Sequence, residues 1–565
     1  MPNRDLSDIV KAYDVRGVVP DQLDPDVAYA LGVAFAEIIA KPEGATRVAI
    51  GRDMRDSSPS LADAFAAGVC ASGLDAIDIG LASTDGLYFA SGQLGIPGAM
   101  FTASHNPAKY NGIKLTRAGA KPVGQDTGLV AIRTRAAELL AGQSPAAATP
   151  GEVVRQDLLD AYARFLRELV DLTPIRQLRV VVDAGNGMAG HTVPAVLGTG
   201  AGLPALPLTI IPLYFDLDGN FPNHEANPLD PANLVDLQAA VLEHGADLGL
   251  AFDGDADRCF VVDERGQPIS PSAITALVAV REIAKEVAAG TPASDIRIVH
   301  NVITSATVPD VIRAHGAEAV RTRVGHSFIK AEMAAANAVF GGEHSAHYYF
   351  RDFWFADTGM LAAMHVLAAL GGQDGPLSGL VAPFSPYAAS GEVNSTVADA
   401  SLATARVRQW AQGQGLSIEE LDGLTVTHPS TPAEPMWWFN LRASNTEPLL
   451  RLNVEAADAA TMARVRDDVL AMVTADVDQP ATAAEASGSD HAAESGAVAD
   501  VGATPTSPIA EWVRTILRCP ACLGELADVV EDGTFELACL GECGRRYPVT
   551  NGIPELLIDS ARPGR

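Results

Sequence analysis

The sequence predicts an α/β protein built from several domains with mixed, largely parallel sheets. Its 565 residues correspond to about three to five domains at roughly 100–200 residues each. Apolar, β-branched segments begin near residues 47, 179 and 297, and each is followed by a polar turn, a helical pattern and a second apolar strand. Strand, helix and strand in this order is typical of a parallel sheet. We therefore predict three tandem α/β domains, at residues 1–150, 151–265 and 266–385.

The remaining sequence changes character twice. Residues 386–475 show a mixed α+β pattern, which predicts a fourth domain. Residues 476–508 consist almost entirely of Ala, Ser, Gly, Thr, Pro, Asp and Glu and contain no aromatic residue. Such a segment buries too little apolar surface to offset its ordering entropy, so we predict a disordered linker. Residues 509–560 then form a compact tail, which we expect to be a small β-rich domain.

The charge of the chain excludes several classes of partner. Lys and Arg total 40 against 70 Asp and Glu, giving a formal net charge of −30. This balance disfavours nucleic acid and anionic membranes, whose binding depends on basic residues. No segment is long and apolar enough to span a bilayer, and the N-terminus lacks the apolar core of a signal peptide. We expect a soluble cytoplasmic protein that acts on small molecules.

The most specific motif is an acidic loop after the apolar segment Leu248–Phe252. Asp253, Asp255 and Asp257 alternate with small residues, so their carboxylates can converge on one hard divalent cation. A solvated acidic turn is the simplest alternative. An EF-hand is excluded because its sixth position is Arg258 instead of glycine and strands flank the loop. A haloacid-dehalogenase-type phosphotransferase, in which Asp253 would be the nucleophile, stays open as a different enzyme class.

A second motif places a serine in a loop of small residues. Ser104 and His105 lie in the sequence Thr-Ala-Ser-His-Asn-Pro, where the hydroxyl could be exposed as a nucleophile, and Lys114 could reach the same pocket. A Ser-His-Asp hydrolase is disfavoured because the loop lacks the Gly-x-Ser-x-Gly elbow.

A Gly-x-Gly-x-x-Gly match at residues 185–190, with Asp216 beyond it, suggests dinucleotide binding. A tight strand-to-helix turn explains it better, because the other two repeats have different turns.

Two further polar loops follow apolar strands. The first, Gly-Gly-Glu-His-Ser-Ala-His at residues 341–347, offers donors and acceptors suited to sugar hydroxyls. The second, Arg-Ala-Ser-Asn-Thr-Glu-Pro at residues 442–448, has the chemistry of a phosphate cradle. Each could also be an ordinary polar turn, but they occur once each in successive regions beyond the Ser104 loop.

In this order the four motifs resemble those of the α-D-phosphohexomutases, and within them the bacterial phosphomannomutase/phosphoglucomutase branch. The resemblance spans residues 5 to about 475. It implies four domains around a central cleft, the last related to the TATA-binding-protein fold. It also implies that Ser104 carries a phosphoryl group and that a hexose 6-phosphate and a hexose 1-phosphate interconvert through a hexose 1,6-bisphosphate.

The resemblance also assigns roles to residues of this chain. Mg²⁺ would be held by Asp253, Asp255 and Asp257, with a phosphoryl oxygen on Ser104. The transferring group would lie beside Arg16, His105, Lys114 and Arg258, of which His105 and Lys114 are the acid/base candidates. Sugar hydroxyls would be bound by Glu343 and Ser345, with His326 and His347 nearby. The non-reacting phosphate would be held by Arg442, Ser444, Asn445 and Thr446.

Departures from the family pattern bear on the substrate. Some relatives carry a lysine where this chain has Asn-Val-Ile-Thr at residues 301–304. Many dual-specificity relatives read Gly-Glu-Met-Ser-Gly-His where this chain has Gly-Glu-His-Ser-Ala-His. We favour mannose over glucose, keep a phosphoglucomutase or dual-specificity mutase as the alternative, and regard a glucosamine phosphate mutase as less favoured.

The tail contains a separate motif. Cys519 and Cys522 are followed after sixteen residues by Cys539 and Cys543, which suits a tetrahedral thiolate site for Zn²⁺. The tail resembles a small zinc-ribbon family whose members activate methyltransferases as partner subunits, which implies a methyltransferase partner. A small β-domain with buried thiols is the alternative. The sequence leaves open whether the tail regulates the mutase, recruits a partner or is a fused passenger.

Overall fold

The structure, a computed structural model, describes residues 5–143, 149–397, 399–432, 434–443 and 449–475, and then 517–522, 524–531, 534–541, 543–550, 553–554 and 562. The chain divides into two compact units, Met1–Val477 and Asp478–Arg565. The predicted linker at 476–508 and the predicted phosphate-binding residues Ser444, Asn445 and Thr446 lie outside the described residues. Among the helices of the described ranges, none has both the length and the apolar character needed to cross a membrane.

The first α/β region forms one mixed sheet covered by helices. Its elements are β1 (Val15–Val18), α1 (Pro25–Phe35), β2 (Arg47–Arg52), α2 (Ser58–Ala71), β3 (Asp75–Leu81), α3 (Thr84–Leu94), β4 (Gly98–Phe101), β5 (Tyr110–Arg117), β6 (Lys121–Pro122), α4 (Leu129–Leu140) and β7 (Val153–Arg155). The strand order is β1-β5-β4-β2-β3-β7, with β6 beside β5. Helix α1 begins where Asp24 accepts a hydrogen bond from the Val27 N–H and Pro25 takes a position that needs no donor.

The second and third regions repeat this plan. The second consists of α5 (Leu159–Leu169), β8 (Leu178–Asp183), α6 (Ala189–Val196), β9 (Leu208–Leu213), α7 (Val235–His244), β10 (Leu248–Phe252), β11 (Cys259–Asp263) and β12 (Pro268–Ile269). The third consists of α8 (Pro271–Ala288), β13 (Arg297–Asn301), α9 (Thr307–Ala314), β14 (Glu318–Thr322), α10 (His326–Ala336), β15 (Phe340–Gly342), β16 (Tyr348–Phe350), β17 (Ala356–Asp357), α11 (Gly359–Gly371) and α12 (Leu377–Val381).

All three sheets share one strand pattern. The parallel strands lie in the orders β3-β2-β4, β9-β8-β10 and β14-β13-β15, and an antiparallel strand follows the last of each, namely β5, β11 and β16. The segments predicted near residues 47, 179 and 297 are β2, β8 and β13. The prediction of repeated α/β units with mixed sheets is therefore confirmed, whereas the boundaries at 150, 265 and 385 stay predictions.

The packing of the second and third regions is continuous. One apolar core joins the strands of the second sheet, through residues such as Val181 and Phe252, to helices of the third region, through Leu277 and Leu367. The first region adds a core of its own around Phe35, Phe65 and Phe101. Tyr88 and Phe89 of α3 also belong to the core shared by the second and third regions, so the three sheets pack against one another and their loops can share one site.

The fourth region is α+β. It contains β18 (Ala388–Thr396), α13 (Ala400–Gly413), β19 (Ser417–Glu419), β20 (Leu424–His428), β21 (Trp437–Ala443), β22 (Leu449–Ala456) and α14 (Ala459–Thr474). The sheet is antiparallel in the order β18-β22-β21-β20-β19, and its core includes Phe439 and Leu452 with Val407 and Val469 from the two helices. A relation to the TATA-binding-protein fold stays a prediction.

The second compact unit contains an antiparallel sheet. Its strands are β23 (Leu526–Glu531), β24 (Thr534–Cys539), β25 (Arg546–Thr550) and β26 (Ile553–Pro554), paired in that order. A small core of Leu526, Leu537 and Tyr547 packs beside Cys519 and Cys539.

Candidate active site

Three of the sequence motifs occupy equivalent loops in the three α/β regions. We name these the serine loop (residues 102–109), the acidic loop (253–258) and the Glu343 loop (343–347). They connect β4 to β5, β10 to β11 and β15 to β16, so each begins at the carboxyl end of a parallel strand, where α/β proteins place their ligands. Ser104 Oγ donates a hydrogen bond to Asp253 Oδ2 at 2.8 Å, and Arg258 forms a β-bridge with His347. The three loops therefore meet at one point.

Small residues allow the serine and acidic loops to approach each other closely. A Cβ atom on Gly254 would lie 2.4 Å from the Ser104 carbonyl oxygen, so only glycine fits this position. Ser104 itself has a φ of 50° and Ala256 a φ of 59°, both in the left-handed region that residues with side chains seldom adopt. The backbone on both sides of the Ser104 hydroxyl is strained, which is a feature of functional sites.

The carboxylates of the acidic loop are buried together with one lysine. Asp253, Asp255 and Asp257 are each exposed by 1% or less, which excludes a solvated turn. Lys114 Nζ lies 2.7 Å from Asp255 Oδ2 and 2.6 Å from Asp257 Oδ2. Burial opposes the charge on Lys114, but these two carboxylates outweigh it and raise the pKa of Lys114 well above its ordinary value. Lys114 is therefore a fixed cation at the acidic loop.

Arg258 and His105 complete the surroundings of the Ser104 hydroxyl. Arg258 Nε donates to Asp253 Oδ2 at 2.9 Å, while its buried Nη2 has no hydrogen-bond partner in the described part of the chain. His105 Nδ1 lies 3.2 Å from Ser104 Oγ. Burial, followed by the charges of Arg258 and Arg16, lowers the pKa of His105 to about 2, so the ring is neutral. The hydroxyl thus has a neutral imidazole on one side and a guanidinium nearby.

A cavity of about 850 Å³ lies over this cluster. Its lining includes eight of the residues identified from the sequence, namely Arg16, Ser104, His105, Lys114, Asp257, Arg258, His326 and His347. Arg16 reaches it from the start of the first region, where its Nη1 donates to Asn106 Oδ1 at 2.5 Å and its Nη2 pairs with Asp14 at 2.7 Å. A cavity that carries several cations above a nucleophilic hydroxyl suits a small anionic ligand.

Glu343 is held away from the cavity by other groups of the third region. Its Oε1 accepts hydrogen bonds from Asn301 Nδ2 at 2.9 Å and from the Gly325 N–H at 3.2 Å. Its Oε2 accepts one from the Tyr349 hydroxyl at 2.6 Å. With both oxygens occupied, Glu343 braces the loop before α10 in this structure, and contact with a sugar would require these bonds to rearrange.

The other residues of the Glu343 loop differ in where they point. His347 lines the cavity, with Nε2 3.8 Å from Asp257 Oδ1, and Ser345 Oγ lies 3.0 Å from His347 Nδ1. Ser345 is therefore placed behind His347. His344 turns the opposite way, with Nδ1 3.1 Å from Ser272 Oγ, and it lines a separate cavity between the third and fourth regions.

Arg442 is the described part of the predicted phosphate-binding motif. It lies near the end of β21, with its guanidinium nitrogens 3.7 Å from both Glu392 Oε2 and Asp422 Oδ2. Its buried Nε has no hydrogen-bond partner within the described ranges. Asp422 Oδ2 also accepts the Val324 N–H at 2.9 Å, just before His326. Arg442 is thus loosely held, beside the contact that links the fourth region to the third.

Several residues at the site are absent from the sequence-based prediction. Thr84 Oγ1 donates to Asp255 Oδ2 at 2.5 Å. Lys330 Nζ pairs with Asp357 Oδ1 at 2.6 Å and lies 4.0 Å from the ring centre of Tyr88, and both Tyr88 and Asp357 line the cavity. Arg55 contacts the backbone of the serine loop. The signal in the sequence was a charged residue directly after apolar residues, as with Lys330 after Phe-Ile. Such a residue does not reveal its partner.

The acidic loop has the donors that Mg²⁺ needs. One oxygen from each of Asp253, Asp255 and Asp257 lies within 4.8 Å of the others. Asp255 Oδ1 and Asp257 Oδ1 are buried, and neither has a hydrogen-bond partner among the described residues. Carboxylate oxygens are the ligands that hard divalent cations prefer. The residues present therefore fit a magnesium ion, which would satisfy both oxygens.

The second compact unit contains a cluster of four thiols. The Sγ atoms of Cys519, Cys522, Cys539 and Cys543 all lie within 4.8 Å of one another. Neighbouring sulfurs are 3.3–3.4 Å apart, and the Tyr547 hydroxyl lies 3.1 Å from Cys519 Sγ. The fold thus brings together two cysteine pairs that sixteen residues separate in the sequence.

Comparison with known families identifies the first compact unit. Models described as phosphoglucomutase/phosphomannomutase match the chain in order, with alpha/beta/alpha domain I at residues 7–139, domain II at 160–266, domain III at 271–387 and the C-terminal domain at 392–472. The chain belongs to the phosphoglucomutase/phosphomannomutase family. The resemblance inferred from the four motifs is therefore confirmed at the level of the family.

This phosphoglucomutase/phosphomannomutase family member matches individual relatives over nearly their full length. A phosphomannomutase of Escherichia coli is 39% identical over 469 residues, covering 82% of this chain and 98% of the relative. A protein of Xanthomonas campestris named phosphohexose mutases is 42% identical over 460 residues, covering 81% and 96%. The crystal structure of a family protein from Burkholderia thailandensis is 31% identical, covers 82% of this chain and 96% of that one, and superposes with a TM-score of 0.71.

Within this family member, the glycine motif at residues 185–190 has a structural role. It forms the turn between β8 and α6, and a Cβ atom on Gly187 would lie 2.7 Å from the Gly254 carbonyl oxygen. The turn therefore packs against the acidic loop, as expected of a strand-to-helix turn in the repeated unit. The acidic loop itself lies between strands β10 and β11, which agrees with the exclusion of an EF-hand.

Proposed function

We propose that this phosphohexomutase interconverts mannose 6-phosphate and mannose 1-phosphate through a phosphorylated Ser104 and a mannose 1,6-bisphosphate. The observation that carries the proposal is the 2.8 Å contact between Ser104 Oγ and Asp253, under a cavity lined by Arg16, Lys114 and Arg258. Phosphoryl transfer depends on in-line positioning and on neutralising the charge of the transferring group. This site supplies a nucleophile, an acidic metal-binding loop and three cations together.

In the proposed reaction, the phosphoryl group on Ser104 passes to the free hydroxyl of a bound sugar monophosphate and is later replaced by the sugar's other phosphoryl group. Mg²⁺ held by Asp253, Asp255 and Asp257 would neutralise charge on the phosphoryl oxygens. When the serine is dephosphorylated, its hydroxyl keeps its proton and donates a hydrogen bond to Asp253 Oδ2 at 2.8 Å. The neutral ring of His105 lies 3.2 Å from Ser104 Oγ, where it can relay a proton during the transfer. Lys114, protonated between two carboxylates, acts as a cation and a hydrogen-bond donor.

The cavity supports the turnover of a bisphosphate inside the protein. Its volume of about 850 Å³ is near the upper end for small-molecule sites, so a hexose bisphosphate has room to turn. We propose that Arg442, with Ser444, Asn445 and Thr446 from its loop, holds the phosphate that is not reacting. Within the described ranges the Nε of Arg442 has no hydrogen-bond partner and its ion pairs are loose, so its guanidinium is available for a bidentate contact. His326 and His347, with Glu343 and Ser345 after rearrangement, would contact the sugar hydroxyls.

We expect the purified protein to prefer mannose phosphates. In a coupled assay primed with a hexose 1,6-bisphosphate, kcat/KM for mannose 1-phosphate should exceed that for glucose or glucosamine 1-phosphate by at least about 10-fold, the size of effect that one pocket contact provides. The names of the relatives support mannose. Equal values would favour a dual-specificity mutase, and activity on none of the three would favour a scaffold with an inactive mutase body.

A matched variant tests one of the two loop positions that differ from many dual-specificity relatives, residue 344. Because His344 points toward Ser272 and lines the other cavity, His344→Met should leave the sugar preference unchanged. A shift of preference toward glucose in this variant would show that the Glu343 loop rearranges when substrate binds.

We further propose that the four cysteines of the tail bind Zn²⁺ as thiolates, in a zinc-ribbon-like domain. The observation that carries this second proposal is the convergence of four sulfurs within 4.8 Å in an antiparallel sheet. A methyltransferase partner, implied by the resemblance of the tail, stays a prediction, to be tested by co-purification with the full chain. The cytoplasmic location stays a prediction as well.

Metal analysis of the full chain should find about one zinc ion per molecule, because four thiolates complete a tetrahedral site. Cys522→Ser removes one ligand and should lower the bound zinc to a small fraction after dialysis. Cys70→Ser, a substitution of a buried cysteine in α2 outside the cluster, should leave the zinc content unchanged. Zinc-free protein with a folded tail would contradict the proposal and favour a β-domain with buried thiols.

A further inference from the structure

Arg55 occupies an unusual position beneath the serine loop. It lies between β2 and α2, where its side chain is only 1% exposed. Its Nη1 donates to the carbonyl oxygens of Pro107 at 3.0 Å and Tyr110 at 2.9 Å. Its Nη2 donates to those of Ser104 at 3.0 Å and Asn106 at 2.6 Å. One guanidinium thus binds four backbone carbonyls of the segment that carries the reactive hydroxyl.

The surroundings of Arg55 hold the guanidinium in one orientation. Asp53 Oδ2 lies 3.3 Å from Arg55 Nε, and Asp53 Oδ1 accepts hydrogen bonds from the Arg55 N–H at 3.0 Å and Ser58 Oγ at 2.6 Å. The ring of Phe221 covers the guanidinium, with its centre 5.1 Å from Cζ. A Cβ atom on Gly219 would lie 2.7 Å from Arg55 Cα, so this segment packs closely over the arginine.

The hydrogen bonds from Arg55 to these four carbonyls explain how the strained backbone conformation of Ser104 is maintained. Ser104 has a φ of 50°, which costs free energy unless neighbouring contacts hold the backbone. The Ser104 carbonyl both accepts from Arg55 Nη2 and packs against Gly254 of the acidic loop. Only arginine presents five N–H donors in a planar fork, so a lysine at this position cannot bind the same four carbonyls.

We propose that Arg55 is a positioning residue for phosphoryl transfer, which fixes the serine loop so that Ser104 Oγ is held against the acidic loop. The inference rests on the proposed function for its catalytic consequence. Arg55 itself is separated from the cavity by the loop backbone that it binds, so it acts through Ser104 and not on the substrate. Loss of this support would leave substrate binding nearly intact and slow the transfer step.

The test is Arg55→Lys in the full chain, a change that keeps a positive charge beside Asp53. We expect kcat for the mutase reaction, and the rate of Ser104 labelling by a hexose 1,6-bisphosphate, to fall about 10- to 100-fold, because small displacements of reacting groups are costly. KM for the sugar phosphate should change by less than about threefold. Hydrogen exchange of the Asn106 and Tyr110 amides, which bond within the serine loop, should accelerate at least about 10-fold.

The matched control is Arg52→Lys. Arg52 ends β2, three residues before Arg55, and among the described residues its side chain makes only a 3.9 Å ion pair with Asp78. It should show wild-type kinetics and exchange. The proposal is overturned if folded Arg55→Lys protein keeps wild-type kcat, or if its kcat falls without faster exchange in the serine loop.

Separate measurements cover two cases, namely that Arg55→Lys fails to fold and that the wild-type protein has no mutase activity. If Arg55→Lys does not fold, Phe221→Leu keeps Arg55 and its ion pair and removes only the ring above them. It should give a smaller loss of kcat with faster loop exchange, and wild-type values for both would overturn the proposal. If the wild-type protein has no mutase activity, the proposed function fails. Unchanged loop exchange in Arg55→Lys would instead refute the structural role of Arg55.

Discussion

Ser104→Ala is expected to abolish mutase turnover, with a loss of at least about 10³-fold, because alanine has no oxygen to carry the phosphoryl group. Incubation of the wild-type protein with a hexose 1,6-bisphosphate labelled in phosphorus should transfer label to Ser104, and the variant should acquire none. The buried hydroxyl is within hydrogen-bond distance of both Asp253 and His105, so removing it takes away the group on which the site converges. The fold should be retained, since only one oxygen is lost.

Ser60→Ala is the matched control. Ser60 is exposed in the first turn of α2, and in the part of the chain that the structure describes its hydroxyl bonds only the Ser57 carbonyl. Removal of this hydroxyl should therefore leave turnover and labelling unchanged. Label that persists in Ser104→Ala and is released by hydroxylamine would indicate an acyl phosphate on Asp253. That result would contradict the phosphoserine mechanism and favour the haloacid-dehalogenase-type alternative.

Asp255→Asn is expected to weaken Mg²⁺ binding by more than about 100-fold and to remove Mg²⁺-dependent turnover. Asp255 is fully buried, its Oδ1 is without a hydrogen-bond partner in the described ranges, and Thr84 holds its Oδ2. An amide offers one neutral oxygen in place of a charged one, and affinity for a divalent cation falls as the charge of its ligands falls. Substitutions that only disturb the support of metal ligands already cost 10- to 100-fold, so loss of a ligand should cost more.

The measurement combines metal titration of activity with thermal unfolding. In the wild-type protein stripped by a chelator, Mg²⁺ should restore activity and raise the unfolding temperature, because a ligand that binds the folded state stabilises it. Asp255→Asn should show neither response. Asp216→Asn, at the exposed acid beyond the glycine motif, should respond like the wild type. An unchanged Mg²⁺ requirement in Asp255→Asn would exclude the acidic loop as the metal site.

The residues that we propose to carry the chemistry could be identified from local patterns. Asp253, Asp255 and Asp257 follow a strand whose side chains are all apolar, so their clustering in one loop is visible in the sequence. Ser104 and Arg442 likewise lie where strands end. The strands themselves were recognisable because buried parallel strands are continuous runs of apolar residues.

The contacts of Glu343 and Arg55 were not recognisable in the same way. Glu343 was predicted to bind sugar hydroxyls, but in this structure its oxygens bind Asn301, Gly325 and Tyr349. Arg55 belongs to an ordinary polar turn in the sequence, and its four carbonyl partners lie about 50 residues further along the chain. Neither the direction of a carboxylate nor the target of a guanidinium follows from spacing.

By itself the sequence determined the repeated α/β plan, the four motifs and the family, because each depends on residues that are close together in the chain. Only the tertiary structure decided that the serine, acidic and Glu343 loops are equivalent loops that meet. The Ser104–Asp253 contact joins residues 149 positions apart, and the Thr84–Asp255 contact joins residues 171 apart. Such contacts depend on how three sheets pack against one another, and packing is set by the combined shapes and burial of many side chains.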